Sequence, residues 1–379
     1  MPTLHSGDRR GELRSAFASI CHWPLVRQKL VPNLKAQHVS IAECLAIAPA
    51  SAPDVRVVIG QTPCQIAPTD AALNGAFSRS LPSPTLAKGA GLRMKLIHIT
   101  DTHLVEPGLK LYGLDPKARL DAAIADINRH HSDAELAIIT GDLTHWGEVG
   151  AYRNFLHSMN GLHVPYVALV GNHDRRTACL DVLAAAPRDA HGFVQGWRDT
   201  SGGRLLFLDT LDERSDAGQM CNQRLQWVAR TLAEAPANRP IYLFMHHPPF
   251  AVGLHAMDAI ALADRAAFTE VIGSHRQRIR HLFFGHVHRP ISGSWLGIPF
   301  STLRGTNHQV WFDLSPVAAH LTSHEPPSYA VVLIGTDTVV VHNHDYLDRS
   351  PRFPFARPGV EERTYALGPV PQEASFPAQ

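Results

Sequence analysis

The sequence predicts an α/β layered protein, and three observations carry that prediction. Short apolar runs of buried-strand type recur along the chain, stretches with apolar residues at helical spacing separate them, and after Ser292 only strand patterns remain. Runs and helical stretches in alternation are what a largely buried sheet covered by helices requires.

The first run, Met94-Lys95-Leu96-Ile97-His98-Ile99-Thr100, ends on Asp101. Leu120, Ile124 and Ile127 then share one helical face, which predicts a helix over 118–131. A second run, Leu136-Ala137-Ile138-Ile139-Thr140, leads into Gly141-Asp142, and a helix over 148–159 separates it from Tyr166-Val167-Ala168-Leu169-Val170. Later runs cover 205–208, 241–245 and 282–284, with helical patterns over 222–234 and 259–272 between them. Residues 330–334 and 338–341 resemble a hairpin. No internal repeat of solenoid period occurs.

Residues 1–93 have a different texture, with Pro, Ala, Ser and Gly crowding Pro49 to Gly91 and no sustained period. They are expected to form a low-order extension, with Met94 a candidate natural start. The folded domain is expected over 94–345, followed by a loose, Pro-rich tail over 346–379.

Hydrophobic residues make up 45% of the chain and charged residues 18%, which excludes wholesale disorder. Lys plus Arg (35) balance Asp plus Glu (34), so no global field recruits a nucleic acid polymer or an anionic membrane. Five scattered cysteines without a C-x-x-C pair read as reduced thiols. No stretch approaches the roughly 18 apolar residues of a membrane span, and the expectation is a cytoplasmic protein.

Five strand ends carry polar groups of one kind: Asp101-Thr102-His103, Gly141-Asp142, Gly171-Asn172-His173-Asp174, His246-His247 and Gly285-His286-Val287-His288. In open α/β sheets ligands sit beyond the carboxyl ends of strands, so these groups should converge. They are N and O donors without thiolates, a set suited to Zn, Fe, Mn or Co. One D-x-H alone would read as a surface turn. Five blocks in order, each behind an apolar run, point to a metal centre.

The ordered blocks D-x-H, G-D, G-N-H-[DE], H and G-H-x-H resemble the calcineurin-like metallophosphoesterase superfamily over about 94–345. That resemblance implies a four-layered α/β/β/α sandwich and a dinuclear site. By position, Asp101, His103 and His288 would hold one metal, Asn172, His246 and His286 the other, and Asp142 would bridge them. Two divalent cations against two carboxylates leave a surplus of two positive charges, which a bridging hydroxide and a phosphodiester monoanion would neutralise. The resemblance further implies His173 as the group that stabilises the transition state or protonates the leaving alkoxide, with Asp174 orienting it.

Asp101-Thr102-His103-Leu104 with Tyr112-Gly113, and His246-His247-Pro248-Pro249-Phe250 with Gly253 and Met257-Asp258, resemble the class III cyclic-nucleotide phosphodiesterases and their glycerophosphodiesterase relatives. A 3′,5′-cyclic nucleotide such as cyclic AMP, or a related small diester, is the substrate this implies. His308, in a segment where that group has a substrate-facing loop, and His247 are the candidate substrate contacts. His145 stands where purple acid phosphatases carry a tyrosine, which disfavours that branch. His145 and Trp146 either line the pocket or pack at the sheet edge, and Arg175 and Arg176 either meet a phosphate oxygen or form a solvated turn. Monoester or pyrophosphate cleavage remains open on these motifs. A non-catalytic scaffold, the rival of another class, typically lacks a ligand, and none is missing here. Relatives often pair through their late strands, so a homodimer or higher homo-oligomer is also implied.

Overall fold

The computed structural model describes residues 91–183, 186–263, 265–316, 321–356 and 359–369. The extension expected over 1–93 therefore lies outside the described residues except for 91–93, and the first strand already begins at Leu92. In chain order the elements are β1 (Leu92–Ile99), α1 (Pro116–His130), β2 (Leu136–Ile139), α2 (Val149–Met159), β3 (Tyr166–Ala168), α3 (Arg176–Val182), β4 (Gly196–Asp199), β5 (Arg204–Phe207), α4 (Asn222–Glu234) and β6 (Ile241–Phe244). They continue with α5 (His255–Asp258), α6 (Arg265–Gly273), β7 (Ile279–Phe283), β8 (Ser292–Trp295), β9 (Ile298–Ser301), β10 (Gln309–Val310), β11 (Thr322–Ser323), β12 (Tyr329–Gly335), β13 (Val339–His344) and α7 (Glu362–Ala366).

One sheet has the order β13-β12-β1-β2-β3, in which β1, β2 and β3 are parallel and β12 runs antiparallel to β1. The other has the order β4-β5-β6-β7-β9-β8, parallel from β5 to β9 with antiparallel edges. Successive side chains of a strand point to opposite faces, and β1 shows what each face buries. Ile97 and Ile99 join Leu120, Ile124 and Phe155 of α1 and α2, whereas Met94 and Leu96 join Leu205, Phe244 and Phe283 of the opposite sheet. A third core packs Val228, Leu232, Phe268 and Ile272 of α4 and α6 on the outer face of the second sheet. The layers are thus helices, sheet, sheet, helices, as the resemblance implies.

Local chemistry sets the element boundaries. Asp115 caps α1 by accepting from the Ala118 backbone N–H at 3.0 Å, with Pro116 in the first turn where its missing donor costs nothing. The helix expected over 259–272 is a correction: a short α5 ends at Asp258 and α6 starts only at Arg265. Between them, the Leu262 and Ala263 N–H groups donate to Pro248 and Gly218 carbonyls, bonds a continuous helix would forbid. Beyond β13, Tyr346 stacks on Tyr329 with ring centroids 5.9 Å apart, so packing continues past the hairpin. Among the described residues no helix is long and apolar enough to cross a membrane.

Candidate metal centre

Asp101 and His103 follow β1, Asp142 follows β2, Asn172 follows β3, His246 follows β6, and His286 and His288 follow β7. All five are parallel strands of two facing sheets, so their carboxyl ends open on one edge and bring the seven side chains together. In one half, His103 Nε2 lies 3.1 Å from His288 Nε2, and His288 Nε2 lies 3.3 Å from Asp101 Oδ1. In the other, Asn172 Oδ1 lies 3.1 Å from His246 Nε2 and 3.0 Å from His286 Nδ1. Asp142 belongs to both, with Oδ2 at 3.5 Å from His103 Nε2 and Oδ1 at 3.4 Å from His246 Nε2.

The donor set fits divalent cations on chemical grounds. His246 Nδ1 donates to the Thr140 carbonyl and His288 Nδ1 to the His308 carbonyl, both at 2.7 Å. In the neutral ring this leaves Nε2 as a lone pair turned toward oxygens and nitrogens that are themselves electron-rich. His286 turns Nδ1 toward the same Asn172 Oδ1 that His246 Nε2 faces. Lone pairs converging in a buried space repel unless a cation lies among them. Without one, protons serve: burial opposes charge on His246, but Asp142 and Asp101 override it and raise the imidazole to about 9. His288 is raised in the same way, chiefly by Asp101 against its burial. The Asp142 carboxyl is held well below its usual range, because His246 and the neighbouring histidines outweigh its burial.

Backbone geometry marks the same residues. Asp101 (φ 52°), His103 (45°), Asp142 (50°), His286 (69°) and His288 (47°) all occupy the left-handed region, which is uncommon outside glycine. Gly171 has a different reason to be glycine: a Cβ there would collide with Asp142 Oδ1 and sit 2.6 Å from His246 Nε2.

A cavity of about 310 Å³ opens over the cluster, lined among others by Tyr112, His145, His173, Met257 and His308. A second, of about 290 Å³, adjoins it and shares His145, Asn172, His173 and Asp216. Larger cavities of about 400 and 470 Å³ exist elsewhere but include none of the seven residues.

The supporting residues fall into two groups. His173 lines both cavities, its backbone N–H donates to Asp142 Oδ1 at 3.0 Å, and its Nδ1 donates to the His145 carbonyl at 2.8 Å. The His308 ring is 4.8 Å, centroid to centroid, from both His103 and His288, and 4.7 Å from the half-exposed Tyr112. Two expected roles are corrected. Asp174 does not orient His173: its buried carboxylate accepts from the Leu143, Thr144 and Gly171 backbone N–H groups and from Thr144 Oγ1 and Tyr152 Oη, tying two loops to α2. Burial and the nearby Asp142 push this carboxyl up to about 6. His247 cannot reach substrate, because it is fully buried, its Nδ1 accepts from Thr210 Oγ1 at 2.8 Å and its Nε2 donates to the Asp216 carbonyl at 3.1 Å.

Arg176 is held by Asp209 through two bonds of 2.7 and 3.0 Å and is not free for phosphate, while Arg175 lines the second cavity. Trp146, 53% exposed, also lines that cavity, and His145 sits beneath it as a buried residue. In the sequence Tyr152 reads only as a core position of α2; no spacing signal marks its hydroxyl as a partner of Asp174.

Comparison with known proteins gives one consistent result. Residues 94–290 match the calcineurin-like phosphoesterase family. The chain is 47% identical over 262 residues to a probable cyclic nucleotide phosphodiesterase of Rhodopseudomonas palustris, covering 69% of this chain and 95% of that protein. It is 28% identical over 217 residues to the 3′,5′-cyclic adenosine monophosphate phosphodiesterase of Escherichia coli K12, covering 56% and 76%. A glycerophosphodiester phosphodiesterase of Enterobacter lignolyticus is 27% identical over 236 residues, covering 59% and 84%. With the family match spanning more than half its length, five strand ends meeting at one His/Asp cluster, and a relative matched almost end to end, this chain belongs to the calcineurin-like phosphoesterase family.

Proposed function

We propose that the protein hydrolyses a small phosphodiester, a 3′,5′-cyclic nucleotide or a related diester such as a glycerophosphodiester, with two divalent metal ions drawn from Fe, Mn, Zn and Co. Asp101, His103 and His288 would hold one ion, Asn172, His246 and His286 the other. The observation that carries this reading is Asp142, a single carboxylate whose two oxygens lie 3.5 and 3.4 Å from nitrogens of the two halves. When bound, such a pair supplies a water of lowered pKa and positive charge for the phosphate oxygens.

The chain's own residues do the rest. Because His173 spends Nδ1 on the His145 carbonyl, Nε2 is its working nitrogen and delivers a proton to the leaving alkoxide. The His173 backbone N–H fixes the bridging carboxylate that it neighbours in space. His308 walls the cavity beside His103 and contacts the substrate, while its carbonyl aims His288. The family makes the chain a hydrolase of phosphoric esters, and the names of its relatives favour diesters.

The test is a substrate panel on metal-reconstituted protein: 3′,5′-cyclic AMP, 2′,3′-cyclic AMP, a glycerophosphodiester, an aryl diester and a monoester. Cleavage of a diester with the monoester untouched is the expected result. Failure to cleave any diester overturns the reading.

A further inference from the structure

His145 occupies the seam between the metal cluster and His173. It is 7% exposed, and its backbone N–H donates to the Leu104 carbonyl at 2.9 Å, joining the chain after β2 to the chain after β1. Its Nδ1 lies 3.0 Å from Nδ1 of His103, whose other nitrogen faces His288 and Asp142. A histidine that offers Nε2 to a cation carries its hydrogen on Nδ1, so His103 donates and His145 must accept. On its other side the His145 ring stacks on His173, with centroids 4.6 Å apart and planes 16° from parallel, and the His145 carbonyl accepts from His173 Nδ1 at 2.8 Å. His246 and His288 give their outer N–H to backbone carbonyls instead. Of these three histidines, His103 is the one whose outer nitrogen meets a side chain, and so the one whose aim a single substitution can release.

We propose that His145 is a positioning residue that fixes the tautomer and direction of His103 toward its metal and holds His173 in register with that same ion. This rests on the reading that Asp101, His103 and His288 bind a cation. Tying the two histidines to one imidazole couples metal placement to proton delivery, so that disturbing one disturbs the other.

The experiment titrates metal-stripped full-length protein with Mn²⁺ by calorimetry, for the wild type, His145→Phe and His145→Gln, and follows kcat and KM for an aryl diester. His145→Phe keeps a ring over His173 but cannot accept from His103. It should lower the affinity for one of two Mn²⁺ ions by about 10- to 100-fold and leave the other unchanged. His145→Gln restores an acceptor without the stacked ring, and should recover most of that affinity while kcat stays low and KM stays near wild type. Wild-type affinity for both ions in His145→Phe overturns the proposal. So does an equal loss of both ions in both variants together with a fallen unfolding temperature, since that is what a purely structural residue would give. A wild-type chain that binds fewer than two Mn²⁺ ions defeats the two-metal reading, and this inference with it, and is told apart because it shows before any substitution is made.

Discussion

Five putting their backbone in the left-handed region, the residues Asp101, His103, Asp142, His286 and His288 each hold a conformation that costs on the order of 1–3 kcal/mol. Such strain persists only where surrounding structure enforces it, and here tight packing between loops does so. Gly171 is the clearest case, because a Cβ would displace Asp142, whose oxygens serve both halves of the site. Gly171→Ala is therefore expected to fold but to retain less than the wild-type complement of metal, as read by elemental analysis after dialysis. His246 gives a second prediction. Its folded-state value of about 9 lies above its ordinary 6.5, so its charge stabilises the metal-free fold fully below pH 6.5 and that contribution is lost as pH rises through 9. The loss is roughly 3 kcal/mol by the usual conversion of such a shift. Histidines with depressed values, such as His98 and His103, stay neutral in the fold but are half protonated in the unfolded chain at pH 6.5, so they act in the opposite sense there and fall silent above about pH 7.5. Denaturant unfolding of metal-stripped protein at pH 7.5 and 9.5 checks this, with a loss of roughly 2 kcal/mol expected between them, and a flat profile would contradict it. At this scale the sequence named residue types well and partners poorly. His247 sits in the same motif as His246, yet nothing in the motif tells that Thr210 and Asp216 close both its nitrogens.

Elements show why some of the fold was legible and some was not. β2 is four fully buried residues, Leu136–Ile139, and α4 spans Asn222–Glu234 as its apolar spacing predicts, because burial on one side writes a period into the chain. β4, Gly196–Asp199, is an edge strand with three exposed residues and carries no such period, so only its pairing with β5 defines it. The gap between α5 and α6 is equally silent, since it is set by carbonyls of distant loops. Asp174 belongs to this scale also, as it joins the loops after β2 and β3 to α2 through five donors. Buried donors left without an acceptor cost about 1–3 kcal/mol each, so Asp174→Ala should lower stability by several kcal/mol, and Tyr152→Phe by about 1 kcal/mol. His173→Asn should behave in the opposite way, lowering turnover while stability and metal content stay put. Parallel denaturation curves and kcat measurements on the three variants separate the clamp from the chemistry; a destabilised His173→Asn with normal turnover would reverse the assignment.

The whole molecule depends on two sheets presenting their carboxyl edges together, and that depends on the shared core of Leu96, Ile138 and Val332 against Leu205, Phe244 and Phe283. This arrangement reached the sequence reading only through the order of the motifs, because no local period says that two separate sheets face each other. Among the described residues every element that builds it lies from Leu92 onward, the family match begins at residue 94, and 262 residues of this chain account for 95% of the relative from Rhodopseudomonas palustris. A chain starting at residue 91 keeps Leu92 opposite Gly335, where β1 enters the sheet beside β12, and so loses no ladder contact of the central strand. Deleting residues 1–90 is accordingly expected to leave metal stoichiometry, unfolding temperature and diester turnover unchanged. Cutting instead within β1, after His98, removes the central strand of the first sheet together with Met94 and Leu96 of the shared core, and should abolish folding. Circular dichroism melts and metal analysis of the two truncations decide the matter: if the shorter deletion also fails to fold or to bind metal, residues before Leu92 are part of the catalytic unit.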